Sequence, residues 1–374
     1  MNKTVMWIVV IVVVVGGLFL LNKGGAPKDT SPIKVGFIGP LTGDVGNIGK
    51  NAQAAVGIAV EEINAKGGVL GRTLEVIYED GQCGGTGAAN AASKLINTDK
   101  VVAILGGACS GETLAAAPIA EAAKVPELSY CSTAPAVTTA GDFIFRDVPS
   151  DNFQATFGAN YFAGKSKAKI ALLYVKNDWG SGLRDALKSA LATTGGTLVA
   201  EESFDPKSKD LRSQLIKIKA ATPDAVYFVS YTDAAITGLK QAKELGITAQ
   251  FLGADAWDDT KIWSSLGSVG EGAMYTLVGT NSSAEFKQKM EAKIGAPDLI
   301  YCSNYAYDGL KILAQAIEKA GVTTGEEVKN ALYKTNYTGG VSSATIKFDK
   351  NGDPASANYA IKVVKDGKAT DLVE

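Results

Sequence analysis

A glycine-rich turn and a serine follow an apolar run that is typical of a buried strand. The run from Val101 to Leu105 leads into Gly106-Gly107-Ala108-Cys109-Ser110, and a helical pattern begins at Gly111. Ser110 is therefore predicted at the N-cap position, beside free backbone N–H groups and the positive end of a helix dipole. Such a helix start suits a ligand carboxylate. The alternative is that Ser110 only caps the helix.

Further polar and aromatic side chains follow other apolar runs. Cys131-Ser132-Thr133 offers two hydroxyls just past a predicted strand, and Asp255 offers a carboxylate past another. Ligands of open α/β sheets bind in the crevice beyond the carboxyl ends of the strands, so we expect these groups to meet there. The hydroxyl groups would donate hydrogen bonds to an anion, and the Asp255 carboxylate would hold a cation. Aromatic side chains stand in two more such segments, Asn177-Asp178-Trp179-Gly180 and Ser230-Tyr231-Thr232.

The residue types argue against an enzyme. The chain has no histidine, which removes Ser-His and Cys-His nucleophiles, histidine bases and most zinc sites. One carboxylate pair, Asp255 and Asp258, could act as acid and base, but its i, i+3 spacing also fits residues that cap and open a helix. We therefore expect no catalytic residues.

Three motifs that resemble cofactor or metal sites do not fit their templates. Gly164-Lys165-Ser166 precedes a predicted strand, whereas a phosphate loop follows one and needs a glycine where Ala159 stands. The glycines from Gly43 to Gly49 lack the dinucleotide-binding spacing. The segment from Asp349 to Asp353 resembles the start of a calcium loop but lacks the downstream glutamate, and it predicts a turn. We expect no cofactor and no metal site.

Short apolar runs alternate with helical patterns along the chain. The runs are almost continuously apolar, as parallel strands buried on both faces must be; examples are Ile33 to Ile38, Val101 to Leu105, Ile170 to Val175 and Ala225 to Val229. The helical patterns between strands include Ala52 to Ile63, Gly111 to Lys124, Gly182 to Thr194, Leu211 to Ala221 and Ala234 to Gly246. This alternation predicts an α/β fold with doubly wound parallel sheets.

Two similar lobes explain the strand candidates better than one sheet does. About ten candidates are too many for a single ordinary sheet, and the alternation restarts near Pro149-Ser150 after a short strand from Phe143 to Asp147. Near the end of the chain, Ala344 to Phe348 and Tyr359 to Val364 predict a hairpin-like pair of strands around the turn that contains Asn351-Gly352.

The composition describes a folded and nearly neutral chain. Its 374 residues, 46% apolar and 20% charged, fit about two domains. A net charge of -2 gives no reason to bind nucleic acid.

The run from Val5 to Leu21 carries no charge and would span about 26 Å as a helix. Followed by a polar tether from Lys23 to Pro32, it predicts either a signal peptide or, as we favour, an uncleaved N-terminal transmembrane helix that anchors an extracytoplasmic protein to the cell membrane.

The sequence resembles the type I periplasmic binding proteins of ABC transporters, in the leucine/isoleucine/valine-binding branch. The most specific segments are Ile33 to Gly43 (IKVGFIGPLTG), Glu62 to Gly68 (EINAKGG), and Cys83 with Cys109-Ser110. The resemblance extends from Ile33 to Val364 and implies two lobes joined by a hinge of three crossings, with an amino acid clamped between them. We expect the anchor and tether over residues 1–31, lobe 1 over 32–149 and 279–355, and lobe 2 over 150–278 and 356–374.

The resemblance also implies which residues bind the ligand. Ser110 and Thr133 match residues that hold a ligand carboxylate. The backbone near Cys131, the Thr133 side chain and Asp255 match groups that hold a ligand ammonium. The full set of candidate ligand-binding residues, with the aromatic positions of lobe 2 and the second hydroxyl of the 131–133 turn, is Ile48, Ser110, Cys131, Ser132, Thr133, Trp179, Tyr231 and Asp255.

Four features depart from the pattern of that family. Asp255 stands where the relatives carry a longer glutamate, Ile48 lies where an aromatic residue often covers the ligand, and Cys131 replaces a small residue of the ligand wall. A lipoprotein cysteine near the N-terminus is also missing. The first three departures leave the side chain of the ligand open.

The four cysteines allow three complete pairings, and their spacing does not choose among them. The resemblance implies a disulfide between Cys83 and Cys109, which would stiffen the turn that carries Ser110. Cys131 and Cys302 then either form a second bridge or remain two buried thiols.

These observations predict a solute-binding protein that is not an enzyme. It would bind an amino acid, with a branched-chain side chain as the leading choice, and present it to the membrane permease of an ABC transporter. Alternatives are the ligand-sensing ectodomain of a receptor, or a binder of a related solute such as an amide, urea or an aromatic acid.

Overall fold

Two separate sheets organise the chain. The structure is a computed structural model that describes residues 29–295 and 301–372. The first sheet is parallel throughout, with the strand order β2-β1-β3-β4-β5. Its strands are β1 (Ile33–Gly39), β2 (Leu74–Asp80), β3 (Ala103–Leu105), β4 (Glu127–Ser129) and β5 (Ile144–Arg146).

The second sheet has the order β14-β13-β10-β9-β8-β6-β7. Its strands pair in parallel from β7 to β10, and β13 and β14 add an antiparallel edge. These strands are β6 (Lys169–Val175), β7 (Thr197–Phe204), β8 (Ala225–Val229), β9 (Gln250–Gly253), β10 (Met274–Val278), β13 (Tyr359–Lys365) and β14 (Lys368–Asp371). A small third sheet pairs β11 (Tyr337–Thr338) with β12 (Thr345–Ile346).

Helices cover the sheets and connect their strands. The α-helices of the described residues are α1 (Gly46–Ala65), α2 (Gly85–Lys94), α3 (Ser110–Ala123), α4 (Asp151–Gly164), α5 (Asp178–Thr194), α6 (Arg212–Ala220), α7 (Thr232–Glu244), α8 (Thr260–Leu266), α9 (Ala284–Ile294), α10 (Tyr301–Ala320) and α11 (Gly325–Leu332). Short 3-10 turns include Pro135–Thr139 and Asp255–Trp257.

Burial explains why these elements could be found in the sequence. Every residue of β8 is fully buried, as a strand covered on both faces requires. On α1, the predicted face places Ala52, Ala55 and Ala59 in the core. The chain leaves α1 through Gly67-Gly68, both with positive φ, and a Cβ on Gly68 would lie only 1.9 Å from a backbone oxygen. The alternation of strand and helix is confirmed.

The chain passes three times between the two large sheets. It leaves the first sheet after β5, returns to it after β10, and leaves it again between β12 and β13. Helix α10 packs on α1, β3 and β4, so it belongs with the first sheet. We call the first sheet with its helices lobe 1, and the second sheet with its helices lobe 2. The expected boundaries at 149/150, 278/279 and 355/356 stay predictions.

The predicted hairpin near the end of the chain is wrong. The turn is present, because Phe348 and Pro354 bridge across it and Asp349 accepts hydrogen bonds from the backbone of Asn351 and Asp353. Its flanking strands, however, separate: β12 pairs with β11, whereas β13 pairs with β10 of lobe 2. The turn lies on the third passage between the sheets.

The expected N-terminal transmembrane helix is not supported. Its residues, Val5 to Leu21, lie outside the described ranges, and no helix within 29–295 and 301–372 is long and apolar enough to cross a membrane. Over the described residues, the fold is therefore the two lobes alone.

Candidate functional site

The start of α3 forms one wall of the cleft between the lobes. Ser110 is the first helical residue and Cys109 is the N-cap, which corrects the predicted N-cap role of Ser110. Glu112, the third helical residue, completes a capping box, because its carboxylate accepts hydrogen bonds from the backbone N–H groups of Ala108 and Cys109 at 3.1 and 3.0 Å. The Ser110 Oγ instead accepts from the Ala134 N–H at 3.1 Å. The Ser110 hydroxyl proton is thus left to donate elsewhere.

A buried guanidinium holds the turn beside Ser110. Arg146 donates from Nη1 to the carbonyl oxygens of Thr133 and Ala134, at 3.1 and 2.9 Å. Its Nε and Nη2 donate to both carboxylate oxygens of Asp353, at 2.7 and 2.5 Å. Arg146 is fully buried, and this bidentate pair satisfies its charge. Arg146 therefore turns the carbonyls of this loop away from the cleft and ties the loop to the third passage.

Ser132 does not face the cleft. Its hydroxyl lies 2.7 Å from the Thr113 Oγ1 and donates to the Gly107 carbonyl at 3.2 Å, so the side chain points into lobe 1. Its neighbour Thr133, which is also buried, lines the cavity, and Ser132 does not. A ligand contact of Ser132 stays a prediction that this geometry does not favour.

Asp255 forms the opposite, acidic end of the cleft. It starts the 3-10 turn after β9, and its Oδ2 accepts a hydrogen bond from the Tyr301 hydroxyl at 2.7 Å. With its amide nitrogen toward Asp151, Gln154 donates to Asp151 Oδ1 and accepts from the Asp255 backbone N–H, both at 2.9 Å. The second oxygen of Asp151 has no hydrogen-bond partner among the described residues. Two buried carboxyl groups therefore stand close together.

Burial disfavours the charged forms of these acids. It raises the pKa of Asp255 to about 6, against the opposing hydrogen bond from Tyr301. Burial, together with the negative charge of Asp255, raises the pKa of Asp151 well above its usual value. A cation bound here would restore the charged form of Asp255, so this end of the cleft suits an ammonium group.

Aromatic and apolar side chains surround the space between the two ends. The rings of Trp179, on the first turn of α5, and Tyr231, just before α7, lie 4.8 Å apart. They face a small cavity, in which the centres of water-sized molecules have about 30 Å³ of space. Its lining contains seven of the eight predicted ligand residues, all except Ser132: Ile48, Ala108, Cys109, Ser110, Cys131, Thr133, Trp179, Tyr231, Asp255, Ala256, Tyr301 and Cys302.

Two disulfides border this cavity. Cys83 pairs with Cys109, with 5.2 Å between the Cα atoms, as the resemblance implied. Cys131 pairs with Cys302, with 5.4 Å between the Cα atoms, which decides between the two alternatives that the sequence left open. Three of these four cysteines line the cavity.

The lobes also touch at the rim of the cleft. Asn47, on the first turn of α1, donates from Nδ2 to Asp259 Oδ2 of lobe 2 at 2.7 Å. Asp259 accepts in addition from the Thr232 hydroxyl at 2.5 Å and from the Lys261 N–H at 2.9 Å. The two lobes are therefore in direct contact beside the cavity.

The remaining acid of the supposed catalytic pair has another role. Asp258 accepts from the Tyr275 hydroxyl at 2.9 Å and from the Tyr301 N–H at 3.1 Å, and it does not line the cavity. Within the described residues, no three Cys, Asp or Glu side chains come together as metal ligands would.

Two contributors to the site were missed by the sequence analysis. Glu112 follows Cys109 by three residues, which is the spacing of a capping box, so its role could have been found from the pattern. Tyr301 meets Asp255 over a sequence separation of 46 residues, and nothing in its local sequence indicates that contact.

The comparison with known proteins identifies the family. The family model described as periplasmic binding protein matches residues 32–368. The chain belongs to the periplasmic binding protein family. A relative from Pseudomonas aeruginosa named leucine-, isoleucine-, valine-, threonine- and alanine-binding protein is 31% identical, over 88% of this chain and 89% of its own length. A Leu/Ile/Val-binding protein from Rhizobium johnstonii is 28% identical, over 92% of this chain and 94% of its own.

Solved structures of periplasmic binding proteins share the whole fold. A leucine-binding protein from Thermotoga maritima has a TM-score of 0.84 and 29% identity, covering 91% of this chain and 98% of its own. The substrate-binding protein of a branched-chain amino acid transporter from Streptococcus pneumoniae, in complex with isoleucine, has a TM-score of 0.81 and 26% identity, covering 90% and 97%. The resemblance to the type I proteins of the leucine/isoleucine/valine-binding branch is thus confirmed.

Proposed function

We propose that this periplasmic binding protein is the extracytoplasmic solute-binding component of an ABC transporter and that its ligand is a free α-amino acid of the branched-chain type. One observation carries the proposal: one cavity between the lobes has hydrogen-bond donors at one end and a buried carboxylate at the other. A zwitterion presents opposite charges to those two ends. The matching relatives, which include proteins named for leucine, isoleucine and valine, support this ligand class.

The donor end is assigned to the ligand carboxylate. Ser110 is 2% exposed, and its Oγ already accepts from Ala134, so its hydroxyl proton is free to donate to the ligand. In the first turn of α3, the Glu112 N–H donates to the Cys109 carbonyl at 2.9 Å. The N–H groups of Ser110 and Gly111 come before it and lack partners within the helix, and the helix dipole favours an anion there. Thr133 supplies a second hydroxyl nearby.

The acidic end is assigned to the ligand ammonium. Asp255 is 2% exposed, and the charge of its carboxylate needs a partner inside the cavity. The Tyr301 hydroxyl orients one of its oxygens. Trp179 and Tyr231 of lobe 2, with Ile48 and Ala108 of lobe 1, enclose the rest of the ligand.

The acidic end also weighs against the alternative ligands. A benzoate or another aromatic acid without an amino group would bring its carboxylate into a cavity that Asp255 lines, with no positive charge to pair with that acid. Amides and urea would leave the carboxylate of Asp255 without a cation.

Binding is proposed to close the two lobes, because the groups assigned to the ligand come from both. The contact of Asn47 with Asp259 across the rim would form in the closed state. The closed form would then be recognised by the membrane permease of the transporter.

The test is a thermal-shift and calorimetry series on the purified protein. Leucine, isoleucine and valine should raise the melting temperature by mass action. Leucinamide, which lacks the carboxylate, and 4-methylpentanoate, which lacks the ammonium, should not. If benzoate or urea shifts the melting temperature and no amino acid does, the proposed function is wrong.

A further inference from the structure

A covalent bridge forms part of the cavity wall, outside the two ends assigned to the ligand. Cys131 and Cys302 both line the cavity, both are nearly inaccessible to solvent, and 171 residues of chain separate them. The bridge joins the loop after β4 to the first turn of α10. It therefore connects two elements of lobe 1 that both line the cavity.

Each cysteine lies within two residues of a group that the site uses. Cys131 precedes Ser132-Thr133, the loop whose carbonyls Arg146 holds. Cys302 follows Tyr301, whose hydroxyl donates to Asp255 Oδ2 at 2.7 Å. The Tyr301 N–H also donates to Asp258 at 3.1 Å, so this end of α10 contacts lobe 2 twice.

We propose that the Cys131–Cys302 disulfide makes the protein select α-amino acids over β-amino acids. The disulfide fixes the distance between the loop that receives the ligand carboxylate and the Tyr301–Asp255 pair that receives the ligand ammonium. The inference rests on the proposed function. Cys131, Cys302 and Tyr301 act here as positioning residues, because they set where other groups meet the ligand.

The physical basis is the small difference between the two ligand classes. Moving the amino group from the α to the β carbon lengthens the path between the two charges by one C–C bond, about 1.5 Å. A site rejects that change only if neither charged end can shift by a comparable distance. The bridge ties Tyr301 to the carboxylate-binding loop, and the Tyr301 hydroxyl in turn orients Asp255.

The rest of α10 does not depend on the bridge. Helix α10 packs along α1, and residues such as Leu310, Leu313 and Ile317 are buried in the core. Loss of the disulfide should therefore loosen the first turn of α10 at Tyr301 and leave the helix itself in place.

The experiment compares leucine with β-leucine, its isomer that carries the amino group on the β carbon. Calorimetry gives the ratio of the two dissociation constants for the wild type, for Cys131→Ala/Cys302→Ala and for the control Ile317→Ala, which removes buried side-chain volume from α10 and does not line the cavity. We expect the ratio to fall at least tenfold in the first variant and to stay within threefold of wild type in the control. General destabilisation of the protein would weaken the binding of both ligands alike and leave the ratio of their dissociation constants unchanged.

Tyr301→Phe keeps the disulfide and removes the hydroxyl that orients Asp255, so it should lower the same ratio. This variant decides the matter if the first one does not fold. An unchanged ratio in either folded variant, with leucine still bound, overturns the proposal. If the wild type binds neither compound, the amino-acid function itself is wrong, which is a different result from an unchanged ratio.

Discussion

At the scale of single residues, Asp255 and Ser110 differ in what their loss would leave behind. Asp255→Asn keeps the shape and removes the charge, so a bound ammonium keeps its desolvation cost without a counter-charge, about 3–5 kcal/mol. Ser110→Ala removes one hydrogen bond to a charged group, about 1.5–3 kcal/mol, while the backbone donors of α3 remain. We therefore expect Asp255→Asn to weaken leucine binding more than Ser110→Ala does.

Titration calorimetry of both variants measures the two losses directly. Expressed as dissociation constants, they correspond to more than about 100-fold for Asp255→Asn and about 10- to 100-fold for Ser110→Ala. Equal affinities of the wild type and Asp255→Asn would show that another group holds the ammonium.

The buried acid also predicts how binding depends on pH. Because burial raises the pKa of Asp255 to about 6, the empty site holds a neutral Asp255 at lower pH. An ammonium ligand must then displace that proton, so the affinity for leucine should fall about tenfold per pH unit below pH 6 and level off above pH 7. Burial and the charge of Asp255 also raise the pKa of Asp151.

The stability of the empty protein should change in the opposite direction. An acid whose pKa is raised on folding contributes most stability below its unfolded pKa, and this contribution is lost as the pH rises through the folded value. Burial raises the pKa of Asp258 to about 6 and that of Glu112 to about 7, so three groups act together. Between pH 5 and pH 8, urea unfolding would measure the stability of the empty protein, and calorimetry would measure its affinity for leucine. Affinity that is independent of pH would argue against a charged Asp255 in the complex.

The sequence locates residues of the site more reliably than it orients their side chains. The ends of buried strands led to Ser110, Thr133 and Asp255, because the geometry of parallel sheets brings such ends together. The sequence could not show that Ser132 turns inward to Thr113, because the hydroxyls of Ser132 and Thr133 were equally plausible as ligand contacts. Residues that approach from a distant element, such as Tyr301, leave no local pattern.

At the scale of elements, the start of α5 depends on a glycine. A Cβ on Gly180 would lie 2.0 Å from the Val175 carbonyl oxygen, so Gly180→Ala must push α5 away from β6. We expect a loss of about 1–3 kcal/mol in the free energy of unfolding. Leucine binding should weaken as well, because Trp179 is the preceding residue on the same turn.

Gly57→Ala is the matched control for that substitution. Gly57 lies inside α1, and a Cβ there would meet nothing within 4 Å. The change should stabilise the protein by about 0.5–1 kcal/mol, since alanine favours the helix over glycine. Urea unfolding of both variants supplies the comparison, and equal effects of the two substitutions would contradict the packing argument.

Strand pairing was predictable only where neighbours along the chain pair in space. Continuous apolar runs such as Ala225–Val229 predicted buried parallel strands. The strand Tyr359–Lys365 was assigned to a hairpin because a turn precedes it, yet it crosses to lobe 2 and pairs with Met274–Val278. The core contacts that decide this pairing come from a remote part of the chain, so local pattern favoured the wrong partner.

At the scale of the whole molecule, ligand binding and lobe closure share one equilibrium. The Asn47 Nδ2 donates to Asp259 across the rim, and Lys209 of lobe 2 lies 3.5 Å from Asp44 of lobe 1. Such contacts stabilise the closed state alone, because the partners separate when the lobes open. The apparent affinity for a ligand therefore depends on residues that never touch it.

This coupling predicts that Asn47→Asp weakens leucine binding although residue 47 does not line the cavity. The variant replaces a hydrogen bond to a charged acceptor, worth about 1.5–3 kcal/mol, by repulsion between two carboxylates, so the dissociation constant should rise at least about tenfold. The melting temperature of the empty, open protein should hardly change.

Asn90→Asp, an exposed site on α2, is the control with the same change of charge. Calorimetry gives the affinities, and small-angle scattering should show a smaller radius with leucine for the wild type and the control than for Asn47→Asp at equal ligand. Wild-type affinity and compaction in Asn47→Asp would mean that the contact with Asp259 does not contribute to closure.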